Sequence, residues 1–503
     1  MKTIEELTGQ LDKLEHSLYI LHHLSELVEL DANTAAPHDT MAGRSVVMEY
    51  LSSREYEVLA SDAAGELLNE LLDRREELTP KQARQAEFLK RKYDNMKAVP
   101  GDEYVAYDVL VSGSQNAWVR AKRENDFASF APFLEKIVET QLRFIEYWDP
   151  DHSKKPYDVL LDQYESGLTQ AFLDPFFARL RETIVPMVQS ITEKGWQPRS
   201  DFLRQEAPLE KQRELADYLM QVLTIDRNHC ALAETEHPFT LNFNKDDVRI
   251  TTHYYLNDVL SSFYSVMHEG GHALYELHTG DDLRFTSLGS GASYSIHESI
   301  SRFFENIIGR SRGFCDFILP KMNELFPGQF AGVSPEEYYQ AVNTAQPSLI
   351  RTESDELTYC LHVMVRYEIE KGLISREIAV RDLPQVWNAK MKEYLGIDVP
   401  NDTKGVLQDS HWSSGLFGYF PTYALGNAYG AQMLGQMKQD VDVEGCCTKG
   451  DLRPVVGWLT DKVFKYGCML DPIPLFEQYC GAPFTPEPYC RYLKEKFGNI
   501  YGI

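Results

Sequence analysis

Apolar side chains at Ile4, Leu7, Leu11, Leu14, Leu18, Leu21, Leu24 and Val28 recur at steps of three and four. That spacing lines one face of a 3.6-residue turn and predicts a long amphipathic helix over residues 4–28. Asn33 and Pro37, within Asp31–Asp39, predict its end. Further helical periodicity covers about 41–60, 64–77 and 80–97, the last opened by Thr79 and Pro80, a cap followed by proline in the first turn. Another helix follows Val99-Pro100-Gly101 and runs through Trp118 to Arg123, and one more covers Phe133–Tyr147. Pro156–Gly167 reads as a connector with a short helix, before helices at about 172–194 and 208–225.

Near Pro238 the period changes. Thr240–Asn244 and Val248–Tyr255 are rich in β-branched and aromatic residues around a polar turn, which predicts a strand pair, the one convincing pair in the chain. It serves either as an edge that holds an extended peptide or as a small structural hairpin. From Asp258 onwards helices dominate again, interrupted by Gly- and Ser-rich loops at 286–295 and 413–418 and a polar stretch at 438–450. With no internal repeat and no flexible linker, the pattern predicts one mainly α-helical body over 1–503, with an N-terminal helical part of about 1–235 and a second part of about 236–503.

Composition narrows the partners. The net charge of −26 argues against nucleic acid and against an anionic membrane surface, since both need clustered Lys and Arg. No segment approaches the roughly 20 apolar residues that span a bilayer, and the charged N-terminus is not a secretory signal. Eight cysteines without a CxxC pair fit reduced thiols and a cytoplasmic location. Adjacent Cys446 and Cys447 are expected on a polar surface turn.

The chemistry concentrates in Phe263–His278, FYSVMHEGGHALYELH. His268 and His272 stand four apart around Glu269, the HExxH pattern, so on a helix both imidazoles reach one metal ion and Glu269 stands beside it as a base. Such sites need a third ligand, and Glu298, 26 residues after His272, is the candidate on a returning helix. Its neighbour His297 points about 100° away and is a poor ligand for the same ion. Gly270 and Gly271 cost the helix about 1 kcal/mol each, which suggests that a neighbouring helix or the substrate approaches closely there.

These residues and several longer stretches resemble the zinc metallocarboxypeptidases of the carboxypeptidase Taq type. The resemblance rests on HEGGHALYE, DVRITT (Asp247–Thr252), HES-SR--EN--GRS (His297–Ser311), IR--SDELTY (Ile350–Tyr359) and G-LQD-HWS-G-FGYFPTY-LGN (Gly405–Asn427), with weaker similarity through the N-terminal third. It implies a two-lobed helical zincin with a deep groove and a small β-sheet beside the HExxH helix, related to neurolysin-like and angiotensin-converting-enzyme-like peptidases. It also implies a cytoplasmic homodimer that removes single C-terminal residues from peptides with broad specificity, using one zinc, or cobalt, per chain.

Carried over by motif, His268, His272 and Glu298 are the metal ligands and Glu269 the general base. Arg351, with Arg249 as a second candidate, binds the substrate carboxylate, and a guanidinium suits that role because it binds carboxylate bidentately. His411 and Tyr423, or Tyr419, supply donors to the oxyanion, and Asp355 and Asp409 orient their neighbours. The chain departs from the family pattern at Ile300, Leu277 and His253, which bears on substrate preference and efficiency. The rival readings are an oligoendopeptidase on the same scaffold and a catalytically weak peptide-binding relative; an aminopeptidase lacks support, since no acidic motif for a free amine is present.

Overall fold

A computed structural model describes residues 2–37 and 40–503. The first helix, Ile4–Thr34, starts at a capping box in which Thr3 and Glu6 satisfy each other's backbone N–H. It buries Leu7, Leu11 and Leu14 and runs six residues past the expected 28. Asn33 and Thr34 do not break it because their side chains bond back to the carbonyls of Glu29 and Leu30. His38 and Asp39, at the far end of the expected break, lie outside the described residues. Helices Met41–Leu59, Asp62–Asp73 and Pro80–Ala98 complete this region, and Leu7–Leu89 share a small apolar core.

The second core is much larger and continuous, with members from Ala117 to Tyr501. Gly101–Glu124, Phe127–Trp148 and Gln170–Lys194 are the long helices of its N-terminal half. The helix expected to begin at Phe133 begins at Phe127. Asp126 caps it, and Pro132 sits in its first two turns rather than before its start.

The sheet has three strands rather than two, β1 (Cys230–Glu234), β2 (Thr240–Asn244) and β3 (Asp247–Thr252), in the order β1-β3-β2. β1 pairs parallel with β3 and β2 pairs antiparallel with it, so β2 is an edge. β3 ends at Thr252, short of the expected Tyr255. The stretch Asp442–Gly450 is also not the expected loop. Asp442 caps a helix over Val443–Lys449 whose Val443, Cys446 and Cys447 are buried, so these cysteines lie in the core rather than on a surface turn. Among the described residues no helix is long and apolar enough to cross a membrane.

Candidate active site

The HExxH residues lie on helix Val259–Leu277, capped by Asp258, with Phe263, Val266, Met267, Ala273 and Leu274 fully in the core. That anchoring fixes the rotation of the helix, and His268 and His272 take the flank it leaves. A Cβ on Gly271 would lie 2.8 Å from Ser301 Cα and 2.9 Å from the Ile300 carbonyl oxygen, so this glycine lets helix Tyr294–Arg302 approach backbone to backbone. Gly270 makes room instead for Leu223. The far side of helix Tyr294–Arg302 meets helix Pro421–Met437, where a Cβ on Gly426 would lie 2.7 Å from Glu298 Cγ. Glu298 therefore sits on a helix clamped between two others at glycines.

The clamp brings three donors together. Glu298 Oε2 lies 3.6 Å from His268 Nε2 and 3.5 Å from His272 Nε2. Metal–ligand bonds of about 2.0–2.2 Å at tetrahedral angles place ligand atoms about 3.3–3.6 Å apart. The Nδ1 atoms of both histidines are engaged elsewhere, which leaves their Nε2 lone pairs for an ion. Two imidazole nitrogens and one carboxylate thus fit a divalent metal with an open position.

Around the donors is a ring of partners that sequence reasoning missed. His268 Nδ1 is 2.9 Å from Glu305, which also receives Arg302 at 3.0 Å. Arg302 donates to Glu298 Oε1 at 2.8 Å and Ser301 donates to Glu298 Oε2 at 2.9 Å. Glu305 follows Glu298 by two helical turns, a signal open to sequence reading, but it lies in a π-helical segment, Phe303–Ile308, which has no such signature. His297 stands outside the three donors and contacts His272 Nδ1 through its own Nδ1. Glu269 is buried and takes a 2.6 Å hydrogen bond from Thr240 of β2, so the edge strand lies against the HExxH helix.

The charges divide in an ordered way. Burial raises Glu269 above the ordinary carboxylate range, although His268 opposes it. Burial would raise Glu298 too, but Arg302 and His268 outweigh it and hold that carboxyl well below its usual range. Glu305 is held at about 2 against burial by Arg302 and His268. Burial, reinforced by His297, brings His272 down to about 3.

A second cluster holds most of the remaining candidates. Arg351, 6 % exposed, donates to Asp409 through Nε and Nη2 at 3.1 and 2.9 Å and to the Tyr359 hydroxyl at 3.0 Å. Arg366, fully buried, binds the other oxygen of Asp409 at 2.7 Å. Tyr423 stands under Arg351, 5.0 Å from guanidinium carbon to ring centre, and its hydroxyl lies 3.3 Å from His411 Nε2. Burial and Arg351 pull His411 down to about 4, so the ring is neutral near pH 7. Tyr419 packs edge-on to Tyr423 at 5.2 Å. Tyr359 joins the clusters, since its ring also lies 4.4 Å from the Arg302 guanidinium and Arg302 holds Glu298.

Arg249 stands outside this grouping. It is partly exposed on β3, bonded to Asp247 at 2.9 and 2.8 Å and stacked on Phe243. Asp355 is partly buried and accepts from the backbone of Gln346, Leu357 and Thr358, so it shapes a turn rather than orienting an imidazole or guanidinium. Of the departures, Ile300 is fully buried and presents its carbonyl to Gly271. His253 bonds the Thr235 carbonyl at 2.7 Å and lies on Tyr255, while Leu277 packs on the core.

A mainly helical fold that converges two histidines and a glutamate beside an HExxH glutamate defines the class, a metallopeptidase. The chain belongs to the family described as carboxypeptidase Taq (M32) metallopeptidase, whose model matches residues 10–497. It is 40% identical to carboxypeptidase 1 of Bacillus subtilis (strain 168) over 485 residues, covering 96% of each chain. It is 34% identical to thermostable carboxypeptidase 1 of Pyrococcus furiosus, covering 99% of this chain and 98% of that one. Among solved structures, the M32 carboxypeptidase from Deinococcus radiodurans R1 superposes with a TM-score of 0.96 at 33% identity, over 99% of this chain and 100% of that one. The protein is a metal-dependent carboxypeptidase.

Proposed function

We propose that the chain removes single residues from the C-termini of peptides, with broad specificity, and that His268, His272 and Glu298 hold the metal, zinc in the first instance and cobalt as an alternative. The metal, when bound, polarises the scissile carbonyl and lowers the pKa of the attacking water. Glu269 takes the proton of that water and returns it to the leaving amine. Its raised proton affinity and its hydrogen bond from Thr240 suit a carboxylate that must accept and release a proton. Tyr423 donates to the developing oxyanion, with His411 at its hydroxyl and Tyr419 against its ring.

One observation carries the preference for a free C-terminus. The buried group around Arg351 holds two guanidiniums, Arg351 and Arg366, against the single carboxylate of Asp409, beside a neutral His411. One positive charge is left over, and a substrate carboxylate supplies the missing anion. Arg351 still has N–H groups that Asp409 and Tyr359 do not use. Arg249, half-exposed at the sheet, is a second cation further out for the same peptide. We read 1–503 as one peptidase domain with a groove between lobes; the core from Ala117 to Tyr501 runs across the expected division near 235, and the first helices add a smaller core of their own. A cytoplasmic homodimer completes this reading.

The test uses one peptide made with a free and with an amidated C-terminus, products being identified by mass spectrometry. The parent enzyme is expected to trim only the free acid, and Arg351→Ala to lose most of that discrimination. If the amide is cleaved no better relative to the acid in the variant, Arg351 is not the carboxylate site. Cleavage of end-blocked peptides by the parent enzyme establishes the oligoendopeptidase reading instead.

A further inference from the structure

His272 differs from His268 in what stands behind it. Behind His268 Nδ1 is a carboxylate, Glu305, at 2.9 Å. Behind His272 Nδ1 is another imidazole, His297 Nδ1, and only beyond that ring a carboxylate, with His297 Nε2 2.6 Å from Glu276 Oε1. Glu276 is almost fully buried and is itself held on both oxygens. Ser290 Oγ and the Gly291 N–H reach Oε1 at 2.9 and 3.2 Å, and Asn242 of β2 donates to Oε2.

Only one arrangement of protons satisfies this row of atoms with a cation at His272 Nε2. A nitrogen that offers its lone pair to a metal carries no proton, so the proton of neutral His272 is on Nδ1 and points at His297 Nδ1. That atom must then accept, which puts the proton of His297 on Nε2, directed at Glu276 Oε1. The carboxylate accepts, as its neighbours Ser290, Gly291 and Asn242 also require. Reversing either ring sets two N–H groups, or two lone pairs, against each other within a part-buried contact, which costs at least a hydrogen bond.

We infer that His297 and Glu276 are positioning residues for the metal ligand His272, a two-membered relay that fixes its tautomer and ring orientation from the edge strand inward. The inference rests on the proposed His268, His272 and Glu298 ligand set and goes beyond it. His297 suits the role by packing as well as by protons. Its ring stacks on Tyr275 at 5.2 Å with the planes 24° apart, and it fills the space over Gly291 that a Cβ there would occupy. Asn242 holds the far end of the relay from the same strand whose Thr240 holds Glu269, two residues away and so on the same strand face. The edge strand thus sets the geometry of both the base and one ligand.

The experiment measures zinc affinity of full-length apo-protein by competition with a chromophoric chelator, beside circular dichroism and thermal melting of the same samples. His297→Phe keeps the ring and its stacking and removes both nitrogens. Glu276→Gln keeps the volume and removes the charge at the end of the relay, and serves if His297→Phe does not fold. Each folded variant is expected to bind zinc about 10–100-fold more weakly than the parent, as is typical when a ligand's hydrogen-bond partner is removed. Parental affinity in either folded variant overturns the relay, as does a lower melting temperature with unchanged zinc binding. A parent protein whose zinc binding survives His268→Ala shows instead that the ligand set itself is wrong, and the relay falls with it.

Discussion

Glu269 is the residue whose role can be separated most cleanly from binding. It touches none of the three donors through a hydrogen bond, and its partner is Thr240. Glu269→Gln should therefore keep the metal, as elemental analysis of dialysed protein would show, while turnover falls by about 10²–10⁴, the usual weight of a general base. Near-parental turnover in a metal-replete variant would remove Glu269 from the chemistry. At this scale the donor set was legible because His268 and His272 are related by one helical turn, a geometry local to the chain. Arg302, Glu305 and Thr240 were not singled out, because a charged or hydroxylated side chain looks the same in sequence whether it faces solvent or a buried carboxylate. The contact of His297 with His272 could be seen only once the helices had been brought together.

Among the elements, the helix that carries Glu298 is held at glycines of two neighbouring helices. Gly271 admits it on one side and Gly426 on the other, at distances where an added methyl has no space. Gly426→Ala should displace the Glu298 side chain, weaken metal binding and destabilise by about 1–3 kcal/mol, as overpacking does. Gly435 is the internal control, since it lies exposed on the same helix with nothing within 4 Å of an added Cβ. Its replacement by Ala should stabilise by about 0.4–1 kcal/mol with metal affinity unchanged. Chelator competition and denaturant melts of the two variants check both statements, and equal behaviour would show that the clamp does not position the ligand. Most helices were legible from their stripes, and the errors have physical causes. Pro132 lies inside a helix rather than before its start. β1, with the sequence CALAE, has no β-branched residue and becomes a strand only by pairing with β3. Asp442 and Gly450 are cap residues that read as a loop, because the helix they enclose is seven residues long.

The whole molecule holds buried acids that the proposed chemistry does not use, and they make its stability depend on pH. Glu165 caps the start of the Glu298 helix by accepting from Ser293 Oγ and the Ser295 N–H, and burial pushes it up from about 4.5 to about 7. Below pH 4.5 the group is protonated folded or unfolded and contributes no difference. Between about 4.5 and 7 the folded state holds a proton that the unfolded state has released, so this group's contribution to stability falls as pH rises through that window. Burial places Glu370 at about 7 as well, with the same sign. The parent should lose unfolding free energy between pH 5 and 7 relative to Glu165→Gln, by at most about 3 kcal/mol for the one carboxyl. Urea melts at pH 5, 6 and 7 measure this, and parallel curves for the two proteins would contradict it.

The loop that returns the chain to Glu298 has one further consequence. Its Ser287 is held through backbone and side chain by Glu15 of the first helix, and its Ser290 by Glu276. The two histidines come together as soon as one helix forms. Of the donors proposed for the metal, the third stands on a helix that glycines hold on both sides, and the loop before it is tied to the first helix. On that ligand assignment the complete donor set belongs to the assembled fold, and loosening the loop's hold on Glu15 should weaken metal binding with both histidines in place.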